Sequence, residues 1–109
     1  MTDRELLELA AKASGEIRLV PYRQEWLEPE DVDAWNPLKY DGDALRLAVK
    51  LHINLEFEAW EVVANTCYEP SAEAIEQTSL SYGLAEATRR AIVRVAAEIG
   101  KESHEEAGN

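Results

Sequence analysis

The glutamates of segment 53–68 are the residues best spaced for chemistry. Glu56 and Glu58 lie two residues apart in an alternating apolar–polar run, so both carboxyl groups lie on one face of a strand, and Glu61 follows closely. Paired carboxylates act as general acid and base where a cleft perturbs their pKa values. Because nothing in the sequence indicates a cleft, we favour the solvated face of an antiparallel sheet and keep a small carboxylate-based enzyme as an alternative.

Other reactive residue types are too isolated to form a recognisable site. Cys67 is the single cysteine, and His52 and His104 are the two histidines, so the usual zinc ligand sets are excluded. The segment Asp41-Gly42-Asp43 is similar to the start of a calcium loop, but the twelfth position is His52 instead of glutamate. The scattered glycines form no phosphate-binding loop. We therefore predict no catalytic residue, no metal and no cofactor.

The charge of the chain is strongly acidic and unevenly distributed. It carries 22 acidic residues against 11 basic ones, a formal net charge of −11. No lysine or arginine lies between Lys50 and Arg89. Such a surface repels phosphate backbones, so we expect no direct nucleic-acid binding and favour a basic protein partner. The alternative is that the acidity only keeps the protein soluble.

Two groups of side chains are candidates for contact with a partner. If Trp60 and Tyr68 are exposed beside the glutamates, they form an aromatic–acidic patch suited to a protein. Arg89, Arg90 and Arg94 form a basic cluster, and glutamates four residues away favour a charged solvent face, although the cluster can also meet a second copy in a homo-oligomer. The candidate partner-binding residues are therefore Glu56, Glu58, Trp60, Glu61, Tyr68, Arg89, Arg90 and Arg94.

Three helices are predicted from capping signals and apolar periodicity. The first spans Asp3–Ser14, opened by a capping box of Thr2 and Glu5 and ended by Gly15. The last begins near residue 84 and ends at residue 100.

The second predicted helix runs from Gly42 to Leu51, with Asp41 as its N-cap and His52 as a structural cap at its end. Its buried stripe has two alternatives. One consists of Leu45, Ala48, Val49 and His52, and the other of Leu47 and Leu51.

Strands are indicated by alternating apolar residues. Residues 17–22 predict a short edge strand, followed by a surface loop over 24–34. Residues 53–57 predict a half-buried strand, after which the register slips near Trp60. This slip indicates either one bulged strand or two strands, and we favour two, the second over residues 61–68. Segment 70–83 stays open between a helical turn over 71–77 and a strand over 77–82.

These elements predict an α+β domain over residues 1–100: a small, mainly antiparallel sheet of three to five strands flanked by three helices in alpha-beta-alpha layers. Residues 101–109 are expected to form a flexible polar tail. The lone cysteine and the lack of a signal-peptide core or of about 20 consecutive apolar residues favour a cytoplasmic protein without membrane contact.

Three blocks of the sequence carry a family resemblance. They are residues 2–7, the segment Trp35-Asn-Pro-Leu with residues 41–51, and residues 87–94 followed by 96–100. Together they resemble the phage ABA sandwich domain, with a looser similarity to NinX-like phage proteins. The resemblance implies an alpha–beta layered fold of phage or prophage origin that acts in the bacterial host cytoplasm, and it implies no reaction, cofactor or catalytic residue.

We therefore expect a non-enzymatic accessory protein that binds a basic host or phage protein through its acidic surface. The most specific form of this expectation is a nucleic-acid mimic or an inhibitor of host defence. A homo-oligomeric structural module is the alternative besides the carboxylate enzyme.

Overall fold

The structure, a computed structural model, describes residues 2–15, 35–68, 71–78 and 83–107. Over these ranges the chain forms α1 (Asp3–Ser14), α2 (Asp41–Leu51), β1 (Asn54–Phe57), β2 (Glu61–Asn65), β3 (Glu73–Gln77) and α3 (Leu84–Ala107). The α+β class and the range of three to five strands are confirmed. The strand expected at 17–22 and the loop expected at 24–34 lie outside the described residues.

The first helix has the predicted ends. The backbone N–H of Glu5 donates to the Thr2 hydroxyl at 3.1 Å, and the Thr2 N–H donates to the Glu5 carboxylate at 2.8 Å. Gly15 ends the helix in the left-handed conformation, with φ of 75°. Both predicted caps are confirmed, and the helix buries Leu6, Leu7, Ala10 and Ala11.

The start of α2 differs from the prediction. Its N-cap is Tyr40, without a side-chain cap, so Asp41 is the first helical residue. The buried Asp43 reaches back instead, accepting a 2.9 Å hydrogen bond from the Asn36 N–H and a 2.8 Å bond from Arg46. This contact holds the turn that contains the buried Trp35 against the helix.

The burial of the apolar residues of α2 distinguishes between the two stripes predicted for this helix. Leu47 and Leu51 are buried, whereas Leu45 is 61% exposed and Val49 is 67% exposed. The stripe that combined Leu45, Val49 and His52 is therefore wrong. His52 does end the helix, in a left-handed conformation with φ of 57°.

Two strands, rather than one bulged strand, follow α2. β1 and β2 pair antiparallel, with Leu55 opposite Ala64 and Phe57 opposite Val62. A short turn at Ala59 and Trp60 joins them, where the register slip was noted. β2 ends at Asn65, so the expected extension to residue 68 is wrong.

The third strand lies within residues 71–77, and residues 79–82 of the strand predicted over 77–82 lie outside the described residues. β3 spans Glu73–Gln77, where a helical turn was one expectation, and it pairs antiparallel with β2. The alternation of buried Ala74 with exposed Ile75 fits a half-buried strand. Pairing with β2 therefore overrides the helix-like local sequence.

The last helix continues past Gly100 to Ala107, so the predicted end at residue 100 is wrong. Gly100 is buried at the crossing with α1, where an added Cβ would lie 2.0 Å from the Leu9 carbonyl oxygen. The glycine therefore permits close approach of two helices, which a C-cap signal in sequence cannot reveal.

α3 packs on one face of the sheet against β2 and β3, and α1 and α2 pack against α3. Val62, Ala64 and Ala74 form the buried row of this face and share a core with α1, α2 and α3. The opposite face carries the exposed Glu56 and Ile75 around Val63. In the described part of the chain the layers are thus sheet and helices, without a helix on the second face.

Candidate functional site

The turn between β1 and β2 carries the largest part of the candidate surface. Glu56, Glu58, Trp60 and Glu61, here called the hairpin-tip patch, lie within six consecutive residues around a short turn. The turn is fixed by a 2.8 Å hydrogen bond from the Glu58 N–H to the Glu61 carbonyl and a 2.9 Å bond from the Thr78 N–H to the Trp60 carbonyl. β2 and β3 therefore hold the patch in place.

The carboxyl groups of Glu56 and Glu58 interact directly. A side-chain hydrogen bond from Glu56, together with its negative charge, raises the pKa of Glu58 above the ordinary glutamate value. The negative charge of Glu61 adds a smaller contribution to the pKa in the same direction. Since Glu58 is fully exposed, the neighbouring carboxylates rather than a buried cleft cause the perturbation.

Trp60 adds a large apolar surface to this acidic turn. Its side chain is 56% exposed, and the adjacent Phe57 is 58% exposed. Glu61 is half-buried and accepts a 3.2 Å hydrogen bond from the Gln77 side chain across β2 and β3. An exposed aromatic ring beside carboxylates has the composition of a protein-contact surface rather than of an enclosed reaction site.

Tyr68 does not belong to the same patch. It follows the far end of β2, where its hydroxyl donates to the Leu51 carbonyl and its ring meets the edge of His52 with the ring centroids 6.2 Å apart. The whole length of β2 separates Tyr68 from Trp60. The predicted aromatic pair is therefore not formed, and Tyr68 fastens the end of α2.

The three arginines of the candidate set face other elements of the same chain. Arg89 lies 2.7 Å from Asp41 and donates to the Leu38 carbonyl at 2.9 Å. Arg90 lies 3.0 Å from Asp3.

Arg94 contacts the Glu76 carboxylate and donates to the Ile75 carbonyl at 3.1 Å. These contacts lie on other elements rather than on the glutamates four residues away on α3 that the sequence indicated. These arginines tie α3 to α1, α2 and β3.

A second surface was missed in the sequence. A cavity of about 220 Å³, here called the α2–α3 groove, opens between α2, β1 and the start of α3. Its apolar lining comes from Ala44, Leu45, Leu55, Ala85 and Ile92. In the sequence, the signal for this groove was that Leu45 and Val49 are apolar although they lie outside the buried stripe of Leu47 and Leu51.

Among the described residues, no group of three or more histidine, cysteine or carboxylate side chains can hold a metal ion. No helix in the same ranges has the length and apolarity needed to cross a membrane. Comparison with family models, curated proteins and solved structures found no match for this chain.

Proposed function

We propose that this chain is a non-enzymatic accessory protein that binds a basic protein partner through the hairpin-tip patch. The observation that carries the proposal is a hydrogen-bonded turn that presents Glu56, Glu58 and the exposed Trp60 together, where the neighbouring Glu56 raises the pKa of Glu58. The negative charge of Glu56 disfavours ionisation of Glu58, and a lysine or arginine from a partner relieves that repulsion. The patch is therefore arranged to receive positive charge.

Trp60 supplies the second part of the binding surface. An aromatic side chain that is 56% exposed gains free energy when a partner covers it. The carboxylates then orient the partner and accelerate its encounter, while the indole ring provides apolar contact.

We further propose a phage or prophage origin and a role in the bacterial host cytoplasm, on the strength of the three sequence blocks noted above. In its sharpest form the protein is a nucleic-acid mimic or an inhibitor of host defence, and its partner is then a nucleic-acid-binding protein. The net charge of −11 supports this choice of partner.

The two alternatives have less support. A homo-oligomer joined through Arg89, Arg90 and Arg94 would have to displace contacts within the chain. A carboxylate enzyme would use Glu58, whose raised pKa arises at an exposed turn. Exposure to water weakens the electrostatic effects on which catalysis depends.

The test is affinity capture from a bacterial lysate at about 50 mM salt, followed by elution with rising salt. We expect the wild type to retain a basic protein that the Glu56→Gln/Glu58→Gln variant and the Trp60→Ala variant release at lower salt. The matched control is Glu73→Gln/Glu98→Gln, which removes two exposed carboxylates elsewhere. Retention of no basic protein, or equal loss in the control, contradicts the proposal.

A further inference from the structure

The α2–α3 groove has the size of a pocket for one apolar side chain. Ala44 and Leu45 form one wall, Ala85 and Ile92 the other, and Leu55 of β1 lies at its base. The volume of about 220 Å³ lies below the roughly 300–1,000 Å³ typical of pockets for small-molecule ligands. A side chain inserted by a protein partner suits the groove better than a whole small molecule.

Large apolar side chains surround the groove and remain in contact with water. Leu45 is 61% exposed on α2 and Leu84, directly before Ala85, is 48% exposed at the start of α3. Phe57, 58% exposed, lies two residues beyond Leu55 on the same strand face. Apolar side chains grouped in this way mark interaction sites more often than isolated ones do.

The groove and the hairpin-tip patch are continuous. Leu55 lines the groove, Phe57 follows on the same face, and Trp60 lies in the turn directly after it. Glu56 lies on the other face of β1, but β1 is at the edge of the described sheet. A partner segment that follows this edge can therefore place its apolar side chains towards α2 and its charged ones around the edge towards Glu56 and Glu58.

Charge decides which partner the groove fits. Asp41, with a side chain that is 79% exposed, lies at the rim, and Glu86 is exposed on the first turn of α3. Arg89 also lines the groove, but its guanidinium is paired with Asp41 and with the Leu38 carbonyl. A second copy of this chain would bring another net charge of −11 to this surface, which disfavours self-association.

We infer that the α2–α3 groove receives an apolar side chain from a basic segment of the partner, whose lysines or arginines contact the hairpin-tip patch. This inference rests on the proposed function and adds the apolar anchor to it. The partner segment then combines leucine-like side chains with cations, as in an amphipathic basic helix laid along an apolar groove.

The test uses three synthetic 14-residue peptides and fluorescence anisotropy at about 150 mM salt. The first peptide has leucines at helical positions i, i+3, i+4 and i+7 and lysines elsewhere. The second replaces its leucines by serine, and the third replaces its lysines by glutamine. We expect the first peptide to bind at least about tenfold more tightly than either of the others, because both surfaces contribute.

Variants of the protein locate the contact. Leu45→Gln removes an exposed apolar side chain from the groove and should weaken binding of the first peptide about tenfold. Val49→Gln is the matched control, since Val49 is 67% exposed on the same helix but does not line the groove, and it should weaken binding far less. Amide chemical shifts of α2 and of residues 84–92 should move on titration with the first peptide.

The outcomes separate this inference from the proposed function. If the serine peptide binds as tightly as the first, or if Leu45→Gln binds like Val49→Gln, the groove is not the anchor, although the acidic patch still binds cations. If the glutamine peptide binds as tightly as the first peptide, the proposal that the partner is basic is contradicted. If no peptide binds, the proposed function loses support together with the groove. Circular dichroism of each variant confirms that a loss of binding is not a loss of folding.

Discussion

At the scale of single residues, Glu58 has a pKa that its neighbour controls. Replacing Glu56 by glutamine removes the main cause of the raised pKa, so the Glu58 pKa should fall towards the ordinary glutamate value. Carboxyl ¹³C shifts followed by NMR against pH measure this directly. Glu61→Gln is the control and should change the Glu58 pKa less, because the Glu61 charge is a smaller cause.

The raised pKa of Glu58 also makes the free energy of unfolding depend on pH. Because the pKa of Glu58 is higher in the folded than in the unfolded chain, the folded state binds the proton more tightly. This contribution to the free energy of unfolding therefore decreases as pH rises from the ordinary glutamate pKa through the raised one. Urea unfolding across that interval should show a larger decrease in the wild type than in Glu56→Gln, where only the smaller causes of the raised pKa remain. An unchanged Glu58 pKa in Glu56→Gln contradicts both expectations.

Asp43 is the residue whose removal should cost most stability near the second helix. Asp43→Ala leaves the Asn36 N–H and the Arg46 guanidinium without their carboxylate partner, so we expect a loss of about 1–3 kcal/mol in the free energy of unfolding. Chemical denaturation measures the loss. Asp43→Asn keeps an acceptor oxygen and should lose less.

The matched comparison for Asp43 is its neighbour two residues earlier. Asp41 is mostly exposed and pairs with Arg89, so Asp41→Ala should cost only about 0–1 kcal/mol. Equal losses at both positions would mean that Asp43 acts only as a surface charge.

The sequence identified these two aspartates as helix-start residues, but the N-cap is Tyr40 and the carboxylate that accepts a backbone N–H is that of Asp43. Asp41 has the type and position of an N-cap, and Asp43 has those of a first-turn charge. Which carboxylate becomes buried depends on where the Trp35 turn packs, and that contact joins residues seven positions apart. Local spacing therefore predicted the start of α2 but not the hydrogen bond between Asn36 and Asp43.

At the scale of elements, the close crossing of α1 and α3 depends on the absence of a side chain at Gly100. Gly100→Ala places a Cβ 2.0 Å from the Leu9 carbonyl oxygen, so one helix must move. Overpacking of this kind costs about 1–3 kcal/mol, which exceeds the gain of up to about 1 kcal/mol from the better helix propensity of alanine. We expect a lower midpoint in thermal and urea unfolding.

Gly42→Ala is the control for this substitution. Gly42 is also helical, but its added Cβ meets only the flexible end of the Arg46 side chain, at 3.2 Å. This variant should be neutral or more stable by up to about 1 kcal/mol. A Gly100→Ala variant as stable as Gly42→Ala contradicts the close crossing.

Elements with strong periodicity were predictable, and elements set by pairing were not. The caps at Thr2 and Gly15 predicted both ends of α1. β3 was misassigned because residues 73–77 contain helix-favouring alanine and glutamate, and only pairing with β2 makes them a strand.

At the scale of the whole molecule, charge and composition predicted an acidic surface but not its division into faces. Alternation alone assigned Glu56 and Glu58 to one strand face, and Glu58 lies directly after β1 with a pKa that Glu56 raises. The arginines could not be assigned, because their partners come from residues up to 87 positions away. The groove was equally inaccessible, since α2, β1 and α3 form it jointly.

The central position of α3 has a consequence during synthesis. α1 shares its most extensive contacts with α3, which emerges from the ribosome about 70 residues later. At roughly 5–20 residues per second, the nascent α1 waits several seconds with Leu6 and Leu7 uncovered. We therefore expect the chain to fold largely after translation of α3, and during that delay the apolar face of α1 is accessible to chaperones.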